Sequence, residues 1–161
     1  GTWSKTGAGA RACVLLMYSN PMKRLIIYSD GGARGNPGPA AIGVVIQDEE
    51  GKTLQELSEY MGETTNNQAE YEAVIRGLQA AKKEFGADLR EMEVEMRMDS
   101  ELVARQLSGI YRVKDQGLKE QFAKIAKLRL EDVPNIIFTH VPRAKNARAD
   151  ELVNQALDAH L

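Results

Sequence analysis

The stretch LIIYSDGGARGNPGPA, residues 25–40, organises the first part of the sequence. Leu25 to Tyr28 form a short continuous apolar run, which is typical of a buried central strand. The run ends at Ser29 and Asp30, and the glycines and prolines of residues 31–40 predict a loop without regular structure. An acid directly after a buried strand is costly unless a partner compensates its charge, so Asp30 is a candidate functional residue.

Two strands and a long helix are predicted after this stretch. The second strand covers about residues 41–47, turns at residues 48–51 and returns as a third strand that ends at about Met61. Residues 65–68, TNNQ, resemble a capping box, which marks the start of a helix. Apolar residues then recur at helical spacing until residues 85–86 end the helix, at Tyr71, Val74, Ile75, Leu78 and Ala81.

The second half of the chain continues with alternating strands and helices. Residues 92–98 alternate apolar and charged side chains, which predicts a half-exposed strand that ends at Asp99. Short helices are predicted at about 101–108 and 116–130, a last strand at 136–138, and a final helix after a loop at 142–146. The order β-β-β-α-β-α-α-β-α predicts an α/β fold, a mixed sheet with helices.

Length and composition indicate one ordinary globular domain. The chain has 161 residues, of which 43% are hydrophobic and 27% charged. No apolar run approaches the roughly 20 residues that cross a bilayer. The single cysteine, Cys13, cannot form an internal disulfide, so we expect a reducing, cytoplasmic location and no membrane association. A monomer is the default expectation.

Residues 1–21 differ from the rest of the chain. They contain Lys5 and Arg11 but no acid, they lack a sustained apolar period, and their longest apolar stretch, VLLMY, is too short for a signal peptide. We expect residues 1–21 to be an N-terminal extension, either a disordered arm or a remnant of an expression vector. Met22 looks like a natural start, so residues 22–161 are expected to form the domain.

The net charge argues against a nucleic-acid partner. The whole chain carries a formal charge of −2, and residues 22–161 hold 19 basic and 23 acidic residues, a charge of −4. Proteins that bind nucleic acids usually carry a basic excess. Any case for such a partner must therefore rest on local chemistry.

Four acids stand where predicted elements begin or end. Asp30 and Asp99 end strands, whereas Glu70 and Asp150 lie in the first turns of helices. Such positions can converge at one edge of a sheet, where the carboxylates would repel one another unless cations lay between them. Oxygen ligands favour Mg²⁺ or Mn²⁺. Each acid also has a structural alternative: a helix N-cap for Asp99, a favourable helix dipole for Glu70 and Asp150, and a turn for Asp30.

Four motifs, in order and with matching separations, resemble the type 1 ribonuclease H family. They are YSDGG (28–32) with GNPGPA (35–40), TNNQAE (65–70), MDS (98–100) and NARADEL (146–152). The resemblance covers residues 22–161. It implies the ribonuclease H-like fold, a five-stranded mixed sheet flanked by helices, and an endonuclease that hydrolyses the RNA strand of an RNA/DNA hybrid.

The resemblance also implies a mechanism and a set of metal ligands. It assigns Asp30, Glu70, Asp99 and Asp150 as the ligands of two Mg²⁺ ions, about 4 Å apart, with Mn²⁺ as a possible substitute. One ion would activate the attacking water, and the other would stabilise the departing 3′-oxygen. The expected products carry 5′-phosphate and 3′-hydroxyl ends.

Substrate contacts follow from the same resemblance. Asn36, Asn66 and Gln68 match positions that contact the minor groove, where 2′-hydroxyls identify RNA. Thr65 matches a contact to a DNA phosphate, and Ser100 is assigned to substrate binding. Thr65 and Asn66 could instead serve as helix caps, and the two roles can coexist.

The sequence departs from the family pattern in three places. Glu101 follows Ser100 where many members have Gln, and residues 107–119 are short and lack the Trp- and Lys-rich insertion of many bacterial members. No histidine lies between residues 141 and 150, although many members use one there for product release. Arg143, a permanent cation, is our preferred replacement, and His140 is expected to be packed and structural.

Three rival functions remain open. One is a different enzyme on the same fold, such as a retrotransposon-derived nuclease domain or a DNA-strand transferase. A second is a hybrid-binding module without activity, and a third is a protein with no nucleic-acid role, which the negative charge allows. The TNNxxE run and the fourth carboxylate favour cleavage of hybrids.

Overall fold

The structure is a computed structural model that describes residues 23–161, so the expectation for residues 1–21 lies outside the described residues. Its strands are β1 Arg24–Ala33, β2 Gly38–Asp48, β3 Thr53–Thr64, β4 Glu93–Met98 and β5 Ile136–His140. Their order in the sheet is β3-β2-β1-β4-β5. The pairs β1–β2 and β2–β3 are antiparallel, whereas β1–β4 and β4–β5 are parallel, which confirms the predicted five-stranded mixed sheet.

Four α-helices accompany the sheet in the order that the sequence predicts. They are α1 Asn66–Phe85, α2 Glu101–Leu107, α3 Gln116–Glu131 and α4 Ala147–His160, with short 3₁₀ helices at Gly86–Glu91 and Arg143–Asn146. Within residues 23–161, none of these helices combines the length and the apolar character that crossing a membrane requires.

The helices cover the two faces of the sheet unequally. Helix α1 packs on β1 and β2 and closes the larger core, which contains Ile27, Val44, Tyr71 and Met96. Helix α4 packs on β2 and β3 from the other face, over a smaller cluster around Ala41 and Val153. The central strand β1 therefore lies between two helical layers.

The predicted capping box starts α1 as expected. Thr65 is the N-cap, its hydroxyl accepts a hydrogen bond from the Gln68 amide (3.2 Å), and the Gln68 side chain accepts one from the Thr65 amide (3.4 Å). These bonds satisfy amides that the first helical turn leaves without partners. The register of α1 is fixed in this way, and its apolar stripe faces the sheet.

The predicted loop at residues 31–40 is wrong. Strand β1 continues through Ala33 and β2 begins at Gly38, so only residues 34–37 form the connection. Gly31 pairs with Ile42 and Ala33 pairs with Ala40. Glycine and proline indicate a turn in local sequence, but here glycines lie inside a strand because neighbouring backbone approaches closely.

Two strand predictions also need correction. Strand β3 continues to Thr64, beyond the predicted end at Met61. Strand β4 is not half-exposed, because it lies between β1 and β5, and Glu95 is only 8% exposed. The Glu95 carboxylate is compensated by the guanidinium groups of Arg24 (3.4 Å) and Arg97 (3.0 Å).

Candidate active site

Two neighbouring parallel strands bring Asp30 and Asp99 together. The pairing of β1 with β4 ends at Tyr28 and Arg97, and Asp99 directly follows β4. Asp30 does not end its strand, as the sequence suggested, but lies two residues beyond the last pair with β4. Both carboxylates therefore lie where the sheet opens between these two strands.

Two glycines allow the helices that carry the other acids to approach β1. A Cβ atom at Gly31 would lie 2.2 Å from the backbone carbonyl of Ala69, the residue before Glu70. A Cβ atom at Gly43, which pairs with Asp30 across the sheet, would lie 2.1 Å from the carbonyl oxygen of Ala149. The missing side chains thus let α1 and α4 contact the sheet backbone beside Asp30.

The four acids form one carboxylate cluster, defined here as Asp30, Glu70, Asp99 and Asp150. One oxygen from each of Asp30, Glu70 and Asp99 lies within 4.8 Å of the others, and Asp150 is close enough for its charge to raise the pKa of Asp30. All four line a cavity of about 340 Å³, together with Arg34, Asn66, Arg143 and Asn154.

The electrostatics of the cluster favour bound protons or cations. Burial, followed by the charges of Asp99, Asp150 and Glu70, raises the pKa of Asp30 to about 8. Burial and the Asp99 charge raise the pKa of Glu70 to about 7, against a hydrogen bond from Ser100 that lowers it. A divalent cation would remove this repulsion, and the ligand atoms are all carboxylate oxygens. The residues therefore fit a hard divalent metal ion.

The family model described as reverse transcriptase-like matches residues 28–156. In sequence, the chain is 44% identical to ribonuclease HI of Halobacterium salinarum over 135 residues, which cover 84% of this chain and 65% of that protein. It is 33% identical to the ribonuclease H of Erythrobacter litoralis, over 85% of this chain and 98% of that protein. The chain belongs to the type 1 ribonuclease H family.

A solved structure from the family resembles this fold closely. LC11-RNase H1, isolated from compost by a metagenomic approach, is 64% identical and superposes with a TM-score of 0.83, over 86% of this chain and 99% of that one. The same protein has been solved in complex with an RNA/DNA hybrid (TM-score 0.82). The chain spans 65% of the halobacterial relative and 36% of a bifunctional protein of Mycobacterium tuberculosis that it also matches.

The geometry bears on the structural alternatives for three of the acids. Ser100, not Asp99, is the N-cap of α2, because its side chain accepts from the Val103 amide. Glu70 is the fifth residue of α1 and not in its first turn, so the positive end of the helix does little for it. Asp150 does lie in the first turn of α4.

Asn146 connects the start of α4 to β1. Its side chain is 1% exposed, and its Nδ2 group donates to the carbonyl oxygen of Ser29 (2.9 Å), next to Asp30. Ser58 Oγ also donates to the Leu152 carbonyl (2.6 Å) from β3. These two hydrogen bonds hold α4 against β1 and β3, and so they help to position Asp150 in the carboxylate cluster.

Of the residues that the family pattern assigns to substrate, Asn66 lines the cavity and is hydrogen-bonded to Asn36. Asn36 Oδ1 accepts from the Asn66 amide (3.0 Å), and Asn66 Oδ1 accepts from the Ala33 amide (2.8 Å). The connection between β1 and β2 is thereby held against the start of α1. Thr65, Gln68 and Ser100 are each used in helix capping.

The two candidates for the missing loop histidine differ in position. His140, at the end of the edge strand β5, is exposed, so the expectation that it is packed is wrong. An edge strand has a neighbour on one side only, which leaves its last residue open to solvent. Arg143 lines the cavity, is 80% exposed, and places Nη2 3.8 Å from Asp150 Oδ1.

Sequence reasoning missed two cavity residues, Arg34 and Asn154. Asn154 lies four residues after Asp150 on α4 and donates to its carbonyl oxygen (3.1 Å). Helical spacing from Asp150 could have indicated Asn154. The position of Arg34 depends on contacts between distant elements, and no local pattern indicates it.

Proposed function

We propose that this protein is an endonuclease that hydrolyses the RNA strand of RNA/DNA hybrids. The convergence of four carboxylates in one cavity beside the central strand carries this proposal. The relative LC11-RNase H1, 64% identical to this chain, has been solved with an RNA/DNA hybrid, which supports the same substrate here. We expect products with 5′-phosphate and 3′-hydroxyl ends.

We assign the carboxylate cluster as the ligands of two Mg²⁺ ions, with Mn²⁺ as a substitute. When bound, the ions would supply Lewis-acid chemistry at the scissile phosphate and neutralise its charge. We assign Asp30 as the central ligand, because the charges of all three other acids act on it. Glu70 approaches from α1 and Asp150 from α4, so the two helices complete a site that β1 and β4 begin.

We assign Arg143 to a phosphate contact at the mouth of the cavity. A guanidinium stays protonated at neutral pH, so it can hold an anion but cannot transfer a proton as a histidine does. Its side chain is exposed beside Asp150, so we expect it to reach the reacting strand or the departing product.

Asn36, Asn66 and Gln68 are proposed to read the minor groove, and Thr65 and Ser100 to contact the backbone. Asn36 and Asn66 are exposed and use their Oδ1 atoms within the protein, so we assign their Nδ2 groups to the substrate. The capping roles of Thr65 and Ser100 are compatible with a phosphate contact, because a hydroxyl can accept from an amide and donate elsewhere. The monomeric state and cytoplasmic location stay predictions.

A cleavage assay with three duplexes tests the proposed activity. End-labelled RNA/DNA hybrid, duplex RNA and duplex DNA would be incubated with the protein in Mg²⁺ and in EDTA. We expect cleavage of the RNA strand of the hybrid only, and only with Mg²⁺. Cleavage of DNA, or binding of the hybrid without cleavage, would favour one of the rival functions.

Substitutions in the cluster test the assignment of the ligands. Asp30→Asn and Asp99→Asn should abolish cleavage and leave the circular dichroism spectrum unchanged, since each removes a negative charge and hardly changes the volume of the side chain. Asp88→Asn is a suitable control, because Asp88 is exposed beyond the far end of α1. Near-normal Mg²⁺-dependent cleavage by either cluster variant would contradict the assignment.

A pair of variants tests Arg143 against His140. Arg143→Ala should lower turnover substantially with little change in melting temperature. His140→Ala should change neither strongly, because His140 is exposed. Equal turnover of the Arg143 variant and the wild type would exclude the proposed role.

A further inference from the structure

Arg34 is a second guanidinium at the rim of the cavity, and the family pattern assigns it no role. It is the first residue of the connection between β1 and β2, and it lines the same cavity as the carboxylate cluster. Its backbone amide donates to the Pro39 carbonyl (2.8 Å), which fixes the position from which the side chain extends. Among the described residues, Arg34 and Arg143 are the two cations that line this cavity.

The side chain of Arg34 extends to a polar row on α4. Its Nη2 atom lies 2.7 Å from Asp158 Oδ1 and 3.3 Å from Asn154 Oδ1. Asp150, Asn154 and Asp158 are spaced four residues apart, so they share one face of the helix. Arg34 is therefore held about two helical turns away from Asp150, along the row that leads into the carboxylate cluster.

The ion pair between Arg34 and Asp158 is easily exchanged. The two side chains are 41% and 66% exposed, and ion pairs at such positions contribute little to stability because water screens them. A phosphodiester can take two parallel hydrogen bonds from a guanidinium, which is a stronger and more specific arrangement. The contacts with α4 use one nitrogen, Nη2.

We propose that Arg34 binds a backbone phosphate of the RNA/DNA hybrid beside the carboxylate cluster, and that it exchanges Asp158 for this phosphate when the hybrid binds. This inference rests on the proposed function, and it adds a substrate-binding residue to that site. It also fits the charge balance: residues 22–161 carry a net charge of −4, so cations beside the site must offset the overall repulsion of a polyanion.

Hybrid affinity over a salt series tests the role of Arg34. Affinities would be measured by fluorescence anisotropy with Ca²⁺ in place of Mg²⁺, so that no cleavage intervenes. Arg34→Ala should weaken binding roughly 5- to 20-fold at low salt and reduce the salt slope by about 1. Arg34→Lys should keep the slope and lose only part of the affinity, because it keeps the charge without the planar fork.

The variant Asp158→Asn distinguishes a substrate-binding role of Arg34 from a purely structural one. If Arg34 binds phosphate, removing the charge that competes for it should leave affinity unchanged or improve it. If Arg34 only ties the connection to α4, Asp158→Asn should weaken binding as much as Arg34→Ala does, and this result would overturn the proposal. Wild-type affinity and slope in Arg34→Ala would overturn it as well.

A matched control excludes a general effect of lost charge. Arg24 is 44% exposed and pairs with Glu93 and Glu95, but it lies at the opposite end of β1. Arg24→Ala should leave the salt slope unchanged.

In the cleaving enzyme, Arg34→Ala should raise KM and change kcat less than twofold, with an unchanged melting temperature. Failure of the wild type to bind or cleave the hybrid would overturn the proposed function, whereas normal cleavage with a neutral Arg34→Ala would overturn this inference alone.

Discussion

Asp30 lies where burial and three neighbouring carboxylates all oppose its ionisation. The pKa of Asp30 rises from 3.8 to about 8, and the pKa of Glu70 rises from 4.5 to about 7. At a pH between the ordinary and the raised pKa of each group, the folded protein keeps the proton bound, whereas the unfolded chain has released it. The contribution of both groups to stability is therefore present at low pH and is lost as pH rises toward 8.

We predict that in EDTA the melting temperature falls between pH 5 and pH 8 and that Asp30→Asn makes this fall less steep. Asp88→Asn, which changes an exposed carboxyl, should keep the wild-type slope. Added Mg²⁺ should raise the melting temperature more at pH 8 than at pH 5.5, because metal ligands must be deprotonated. An identical pH slope for wild type and Asp30→Asn would show that the cluster does not hold these protons.

At the scale of elements, the contact between β2 and α4 sets the position of Asp150. We predict that Gly43→Ala forces α4 away from the sheet, because its Cβ would lie 2.1 Å from the Ala149 carbonyl oxygen. The free energy of unfolding should fall by about 1–3 kcal/mol. Cleavage should fall further than the loss of folded protein explains, since Asp150 moves with the helix.

Gly32→Ala provides the comparison for stability. Its Cβ would meet only Val153 Cγ1, at 3.6 Å, which is an ordinary contact. Chemical denaturation and single-turnover cleavage of both variants would measure the two effects. Similar stability of the Gly43 and Gly32 variants would mean that α4 does not need the close approach.

The sequence predicted the elements well and their ends less well. Apolar periodicity and the capping box located α1, because both are local signals. The glycines of residues 31–38 indicated a loop, yet Gly31, Gly32 and Gly38 lie in strands. Gly31 must be glycine because α1, which is distant in sequence, approaches it closely. The same reason explains His140, whose exposure depends on β5 being the edge strand.

The residues of the candidate site likewise differ in whether local sequence could predict them. The four acids could be proposed from the predicted ends of strands and helices and from the family motifs, although Asp30 lies inside β1 and Glu70 beyond the first turn of α1. Arg34 could not, because its place in the cavity depends on a contact with Asp158, which lies more than a hundred residues away. Asn146 likewise acts on Ser29 across the fold.

At the scale of the whole molecule, the acidic balance determines how the hybrid is held. The chain has a charge of −2 and a short connection, residues 108–115, between α2 and α3 in place of a basic insertion. We predict weak hybrid binding in EDTA and clearly tighter binding with Ca²⁺, which neutralises the cluster without supporting cleavage. Anisotropy titrations over a salt series would measure this. Tight binding in EDTA with a steep salt slope would show that a basic surface holds the hybrid instead.

The unequal pairing of the central strand has a consequence for amide hydrogen exchange. Residues 25–28 of β1 have a partner strand on both sides, whereas residues 29–33 pair with β2 alone. Amides of the inner half should exchange only when the whole domain unfolds, and those of the outer half through smaller local openings. Saturating Ca²⁺ and hybrid should slow exchange in residues 29–33 and leave exchange in residues 25–28 at the rate of global unfolding. Hydrogen exchange measured by mass spectrometry would therefore report occupancy of the cavity under conditions in which the hybrid is not cleaved.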